Sequence, residues 1–399
     1  MNLVDLRADI LVVGGGPSGL RVAGRLAAAG FSVRVIERKP EIGHNVLCTG
    51  IVGKDVFEKY QLDSGSILRE VRSVQLISPF ASIVNYQHPQ SFAYVVDRQA
   101  FDRLLAASAR ASGAAIDLDL TVEDIAVGPA GVTLTARRNG GGRVRCTARV
   151  AVIATGVDYS LQKKAGLDTP RDFLIGAQAE LPAEADEPTT IFFGREVAPG
   201  AFAWSVPAGQ GRARVGLLTK KDPRACLVKF IEANRPTFSG NGDELGIRTK
   251  AVAQGLLGRT AANRVLAVGE AAGQVKTTTG GGISYGLLCA DLAAEAIEAC
   301  FRKGSFQSSA LAAYESEWKK AIQKEILIGY YTRKMCARLS DGQIEGLFQL
   351  AKTDGIIPII RDTADFDWHS GLITALLERL SFMRFFRSMK DHLGHGSLS

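Results

Sequence analysis

The hydrophobic pattern changes period several times along the chain. Residues 10–13 are a short apolar run, as a strand buried on both faces requires. Residues 18–29 then repeat small and apolar side chains at helical spacing, and residues 32–36 predict a second strand. The sequence "RVAVIAT" (149–155) predicts another buried strand, a helix follows Arg98, and residues 265–268 predict a strand that leads through a glycine-rich stretch into a long helix after Gly282. Between these, residues 71–94 and 173–250 alternate apolar and polar positions with aromatics and turn residues, which predicts a mostly antiparallel sheet. "LPAEADEP" (181–188) is a polar loop, and from about residue 311 onward the chain reads helical, with no internal repeat and no low-complexity tract. The fold class is therefore α/β, with the parallel-sheet pieces scattered over three segments.

The first strand, turn and helix carry "DILVVGGGPSGLRVAGRLAAAGFSVRVIERK", in which Gly14, Gly16 and Gly19 fit G-x-G-x-x-G. The first glycine permits the tight turn, the second lets a pyrophosphate approach the backbone, and the third lets helix and strand pack closely. Glu37 closes the second strand about 20 residues later, where a carboxylate binds ribose hydroxyls and disfavours a 2′-phosphate. The expected dinucleotide is FAD or NAD in preference to NADP. The stretch "GEAAGQVKTTTGGGISYGL" (269–287) has almost no charge and six glycines just before a helix. A helix N-terminus with bare backbone is a seat for an anion or a reduced, negatively charged ring.

Composition narrows the field only a little. Apolar residues make up 46% and charged residues 22% of 399, which excludes a mainly disordered chain. The formal charge of +7 suits an anionic partner or simply a soluble basic surface; no basic arm or nucleic-acid motif is present, so nucleic acid is not expected. The six cysteines show no metal-ligand spacing, so no metal is expected and reduced thiols in a cytosolic protein are the simplest account. No signal-peptide pattern and no apolar run of the ~18 to 20 residues needed for a membrane span are seen.

Four pieces in order, "GGGPSG" with Glu37, "VLCTGIVG" (46–53), "VVDRQAFDRLLAASA" (95–109) and "GEAAGQVKTTTGGGISYGL", resemble the FAD-dependent geranylgeranyl reductase family within the p-hydroxybenzoate hydroxylase-like flavoproteins. The likeness spans about the first 300 residues. It implies a discontinuous Rossmann-like FAD-binding domain of the glutathione-reductase type (1–70, 95–172, 251–310), a substrate-binding β-sheet domain (71–94, 173–250) and a C-terminal helical region (311–399). Implied cofactor contacts are Gly14, Gly16, Pro17, Ser18, Gly19, Glu37, Arg38, Cys48, Thr49, Arg98, Ala154, Gly156, Gly269, Glu270, Gly280, Gly281, Gly282 and Ile283. Arg98 would meet the ribityl or phosphate region, and Gly280 to Gly282 the ring's pyrimidine edge. Glu270 replaces the family's aspartate, Thr277 a common proline, and "ATGVDY" (154–159) departs from the usual middle motif.

"AFAWSVP" (201–207) is similar to the reductases' Y-x-W-x-F-P, so Phe202, Trp204 and Pro207 are candidate substrate contacts; the same alternation also suits a core strand. Of the family's later G-x-G only Gly216 is kept. Cys48 stands at the family's cysteine and is either a proton source or a small buried hydrophobe; Tyr285 is a second candidate donor or a core tyrosine. The resemblance implies that reduced FAD saturates carbon–carbon double bonds of an isoprenoid lipid, with NADPH, ferredoxin or a quinol as reductant and, for the protein donor, a separate electron-donor partner. The alternatives are a flavin monooxygenase or halogenase, an electron-relay flavoprotein-quinone oxidoreductase, and a non-catalytic FAD binder. Residues 371–393 space apolar positions at three and four with Arg379, Arg384, Arg387 and Lys390 between them, which describes a helix packed on the body or lying at the inner face of a membrane.

Overall fold

The computed structural model describes residues 4–183, 188–234, 245–353 and 356–379. A six-stranded sheet places Ile10–Val13 between Val33–Ile36 and Val150–Ile153, with Val265–Ala267 beyond the latter, all parallel. Side chains alternate across a strand, and this sheet is covered on both faces. Ile10, Val12, Val150, Val152 and Leu266 face the helices Pro17–Ala28 and Ile283–Lys303. Leu11, Val13, Ala151, Ile153 and Val265 face a four-stranded sheet built mainly from Leu120–Val127, Val132–Arg138 and Arg143–Ala148. That second covering layer was not anticipated from the pattern, although residues 132–136 alternate buried and half-buried positions.

The anticipated antiparallel sheet has seven strands, in the order Arg248–Gln254, Asp172–Pro182, Arg212–Thr219, Ala203–Gly209, Thr189–Phe192, Ser73–Ile77, Ile83–Gln87; one pair, Thr189–Phe192 with Ser73–Ile77, is parallel. Ala93–Val96 leaves it to pair with Ile51–Gly53 and Ile67–Val71 in a separate three-stranded sheet. Within the seven-stranded sheet Trp204 stands directly opposite Gly216. A Cβ on Gly216 would lie 2.5 Å from the indole, so the one glycine kept from the G-x-G lets the ring lie flat on the neighbouring strand.

Beyond residue 307 the described residues are mostly helical. Ser308–Cys336 buries Leu311, Tyr314, Trp318, Ile322 and Ile326 at helical spacing against the same core as Ile283–Lys303. Three shorter helices follow, Asp341–Thr353, Ile356–Thr363 and Ser370–Leu377. The amphipathic pattern read over residues 371–393 is helical as far as Leu377; Arg384, Arg387 and Lys390 lie outside the described residues. Among the described residues no helix is long and apolar enough to cross a membrane.

Close backbone approach decides the glycine motif. Gly14 has φ +112°, and a Cβ on Gly19 would clash with the Gly14 carbonyl and stand 3.1 Å from the Ala154 methyl. Gly19→Ala should therefore lower unfolding stability by about 1 to 3 kcal/mol, the range for forcing a methylene into a packed site; chemical denaturation checks this.

Candidate functional site

The parallel sheet, the seven-stranded sheet and the C-terminal segment meet around a cavity of about 850 Å³, near the upper end of the ~300 to 1,000 Å³ typical of small-molecule sites. One end is bounded by the glycine turn, Glu37, Arg38, Ala154 and Gly156, and the middle by Cys48, Thr49, Arg98, Glu270 and the elbow Gly280 to Ile283. The other end is apolar, with Val74, Phe92, Ile191, Phe202, Trp204 and Val206 on its wall. Gly14, Gly16, Pro17 and Ser18 all reach this cavity. Gly19 and Gly269 stand behind its wall, where added Cβ atoms would meet Gly14 and Ser18.

Two expectations are corrected. Pro207 does not reach the cavity; side chains alternate, so Phe202, Trp204 and Val206 share one face and Pro207 borders a separate small cleft with Arg69 and Thr189. Tyr285 does not line the cavity either. It is 2% exposed and its hydroxyl donates to the Asp367 carbonyl at 3.0 Å. Burial, with Glu325 and Asp367 nearby, pushes its pKa well above the ordinary phenol value, so it anchors the C-terminal segment.

Glu37 is buried, with Oε2 accepting from the Gly15 amide at 2.6 Å and Oε1 from the Lys39 amide at 3.0 Å. It braces the glycine turn and keeps lone pairs for a ribose. Arg98 forms a buried pair with Asp102, at 3.0 Å from Oδ1. Burial opposes its charge, but Asp102 and Cys48 outweigh that and hold the guanidinium above its ordinary value. The Cys48 sulfur accepts from the Gly50 amide at 3.3 Å.

Two clamps escaped the sequence reading. Buried Arg214 donates to the carbonyls of Thr49 (2.7 Å) and Val96 (2.9 Å), and Gln178 accepts from the Thr49 hydroxyl at 3.0 Å. Both belong to the seven-stranded sheet and fix the cysteine loop. The available signal was an arginine set between Ala213 and Val215 in the strand Arg212–Thr219, two residues after the exposed Arg212. Glu270, the replacement for aspartate, pairs with Lys250 of that sheet at 2.7 Å.

The segment around Asp365 to Ser370 was missed entirely, because nothing local distinguishes it from a surface turn. It lies over the glycine elbow. Asp367 Oδ1 accepts from Lys276 Nζ (2.7 Å) and Ser284 Oγ (2.7 Å), and Phe366 joins the cavity wall against Phe92. His369 Nε2 lies 3.0 Å from the Phe366 carbonyl, which can only accept, so Nε2 carries the hydrogen and Nδ1 accepts from the Thr278 hydroxyl at 2.5 Å. Burial first, and Lys276 second, lower the His369 pKa and keep the ring neutral.

The residues present fit an adenine dinucleotide. Neither Pro17–Ala28 nor Ile283–Lys303 has a side-chain N-cap, so both N-termini offer amide donors at the cavity. Glu37 and Arg98 supply an acceptor and a cation on the path between them.

Residues 12–66 match the family described as NAD(P)-binding Rossmann-like domain. The chain is 30% identical over 366 residues to a digeranylgeranylglycerophospholipid reductase of Methanothrix thermoacetophila, with 88% of this chain and 93% of that protein covered. Its fold matches a geranylgeranyl bacteriochlorophyll reductase-like protein of Thermoplasma acidophilum (TM-score 0.84, 23% identity, 97% and 99% of the two chains covered). It also matches the p-nitrophenol 4-monooxygenase PnpA of Pseudomonas putida (TM-score 0.74, 16% identity, 92% and 99% covered).

Tyr285→Phe should cost about 1 to 2 kcal/mol in stability, by leaving the Asp367 carbonyl unpaired, without changing cofactor content; denaturation beside a cofactor spectrum tests this. The folded pKa of His369 lies below its ordinary 6.5, so the unfolded chain takes up the proton first. Stability should be fully present above pH 6.5 and decline as the pH falls through it, and His369→Gln should flatten that decline in melting experiments.

Proposed function

The chain belongs to the digeranylgeranylglycerophospholipid reductase family, and from that premise we propose that it is an FAD-dependent reductase saturating carbon–carbon double bonds of a geranylgeranyl-type lipid. The observation that carries this reading is one cavity with dinucleotide-binding elements at one end and an apolar wall at the other. Bound FAD, once reduced, supplies the hydride. The glycine turn and the start of Pro17–Ala28 hold the pyrophosphate, Glu37 a ribose, Arg98 the ribityl or phosphate region, and Gly280 to Gly282 the ring's pyrimidine edge. Glu270, steadied by Lys250, takes the aspartate's place toward the ribityl chain.

Phe202 and Trp204, with ring centroids 6.0 Å apart, present a continuous apolar face along which an isoprenoid chain lies and from which water is excluded. Cys48 holds the proton for the second carbon, with its sulfur fixed by the Gly50 amide. Arg214 and Gln178 keep the loop in place while this happens. The reductant is NADPH, ferredoxin or a quinol, told apart by which of them bleaches the bound flavin under anaerobic conditions. The same fold also serves monooxygenases, which makes oxygen use the decisive alternative.

The experiment is to load the full chain with FAD, reduce it anaerobically and add digeranylgeranylglycerophospholipid. Flavin reoxidation with a gain of two mass units per saturated bond is expected. Substrate-stimulated oxygen uptake with an oxygenated product would replace this reading with a monooxygenase or halogenase, and no substrate-dependent reoxidation would leave a binder. Cys48→Ser should retain FAD and lose about 10²- to 10⁴-fold in turnover, as removal of a general acid does; unchanged turnover would assign the proton to water.

A further inference from the structure

We infer that Lys276 tunes the bound flavin electrostatically, as a positioning residue whose ammonium, held beneath the Gly280 to Gly282 elbow, favours the reduced and negatively charged cofactor. This rests on the reading above that the ring's pyrimidine edge lies against that elbow. The elbow folds back on Lys276 through two backbone bonds, Gly280 N to the Lys276 carbonyl at 2.7 Å and Lys276 N to the Gly281 carbonyl at 2.8 Å. A Cβ on Gly281 would stand 2.9 Å from Lys276 Cε and 3.4 Å from Nζ, and no carboxylate is among its nearest atoms. The ammonium is therefore tucked directly behind the bare backbone.

Its other partners come from the C-terminal segment. Nζ is 2.7 Å from Asp367 Oδ1 and 3.2 Å from the Phe366 carbonyl, and 4.5 Å from the centre of the Phe366 ring. Both members of the pair are buried, with side chains 6% and 10% exposed, so their field is poorly screened. Of the pair, the ammonium is the member closest to the Gly281 backbone, while Asp367 also accepts from Ser284.

The remaining charged and titratable groups around it do not supply a second cation. Asp365 accepts from the amides of Asp367 and Trp368, Glu325 accepts from Ser370, and His369 is held neutral. The other cations on the cavity wall are engaged elsewhere: Arg38 with Asp158, Lys39 with the His44 carbonyl, Arg98 with Asp102 and Lys250 with Glu270. Lys276 is thus the cation positioned to offset Asp367, Asp365 and Glu325 at this end of the site. A purely mechanical latch between the elbow and the C-terminal segment would use the same contacts, and it is distinguished by the cofactor's potential.

The test uses full-length, FAD-loaded protein, with the midpoint potential of the flavin read by anaerobic equilibration against a reference dye. Lys276→Met should shift the two-electron reduction equilibrium at least about tenfold toward oxidised flavin, or about 30 mV. Lys276→Arg should restore the potential, and Asp367→Asn, which leaves the ammonium without its counter-charge, should raise it. The aspartate variant also keeps the test decisive if the methionine variant does not fold. Potentials unchanged in the folded variants, with only the melting temperature lowered, would overturn the inference and leave a latch. Wild-type chain that does not retain FAD would overturn the cofactor reading itself, and the inference with it.

Discussion

Everything at this site depends on how closely two stretches of backbone distant in sequence can approach one another. The glycine turn, the end of Val150–Ile153 and the start of Pro17–Ala28 meet at distances that exclude even a methyl group, as Gly14 and Gly19 against Ala154 make plain. That contact points the helix N-terminus, with its unpaired amides, into the cavity instead of into a loop. The ladder of parallel strands supplies the rigidity for it. Alternate side chains of Ile10–Val13 are locked into two different cores, so the strand cannot slip by one residue without turning both faces inside out.

A second constraint is that two structural layers must hold a shared cavity at fixed width. Apolar contact is non-directional and does not set a loop's position to within a hydrogen bond. Directional polar clamps do so here: Arg214 and Gln178 reach from the seven-stranded sheet to the Cys48 loop, and Lys250 reaches to Glu270. Arg214 is buried and satisfied by carbonyls, which avoids the penalty of an unpaired buried charge.

The C-terminal segment completes the wall in a different way. Lys276 and Asp367 lie 91 positions apart in sequence and are both buried. Leaving either without the other would cost about 3 to 5 kcal/mol, which ties the segment to the elbow far more firmly than the surrounding surface ion pairs would. Phe366 rides on that anchor, so the apolar end of the cavity is closed by a piece of chain whose own sequence carries little apolar periodicity.

Local pattern was enough to reveal the central parallel strands and the alternating antiparallel sheet, the glycine turn with Glu37, the elbow before the long helix, and the pairing of Phe202 with Trp204 on one face. Each of these is set by contacts within a few residues or by a side-chain period, and most of the candidate cofactor residues do line one cavity. What was not legible has a common cause. Arg214, Gln178, Lys250 and the Asp365 to His369 segment act on residues tens to hundreds of positions away, so their meaning exists only once the sheets and helices have docked. Pro207 and Tyr285 were misjudged for the same reason in reverse: their motifs suggested chemistry, but the pleat turned one away and packing committed the other to a carbonyl. The sequence by itself determined which backbone could be approached closely; the tertiary structure decided which charges would stand around it, because a charge's effect depends on distance and burial, and neither is written in a linear chain.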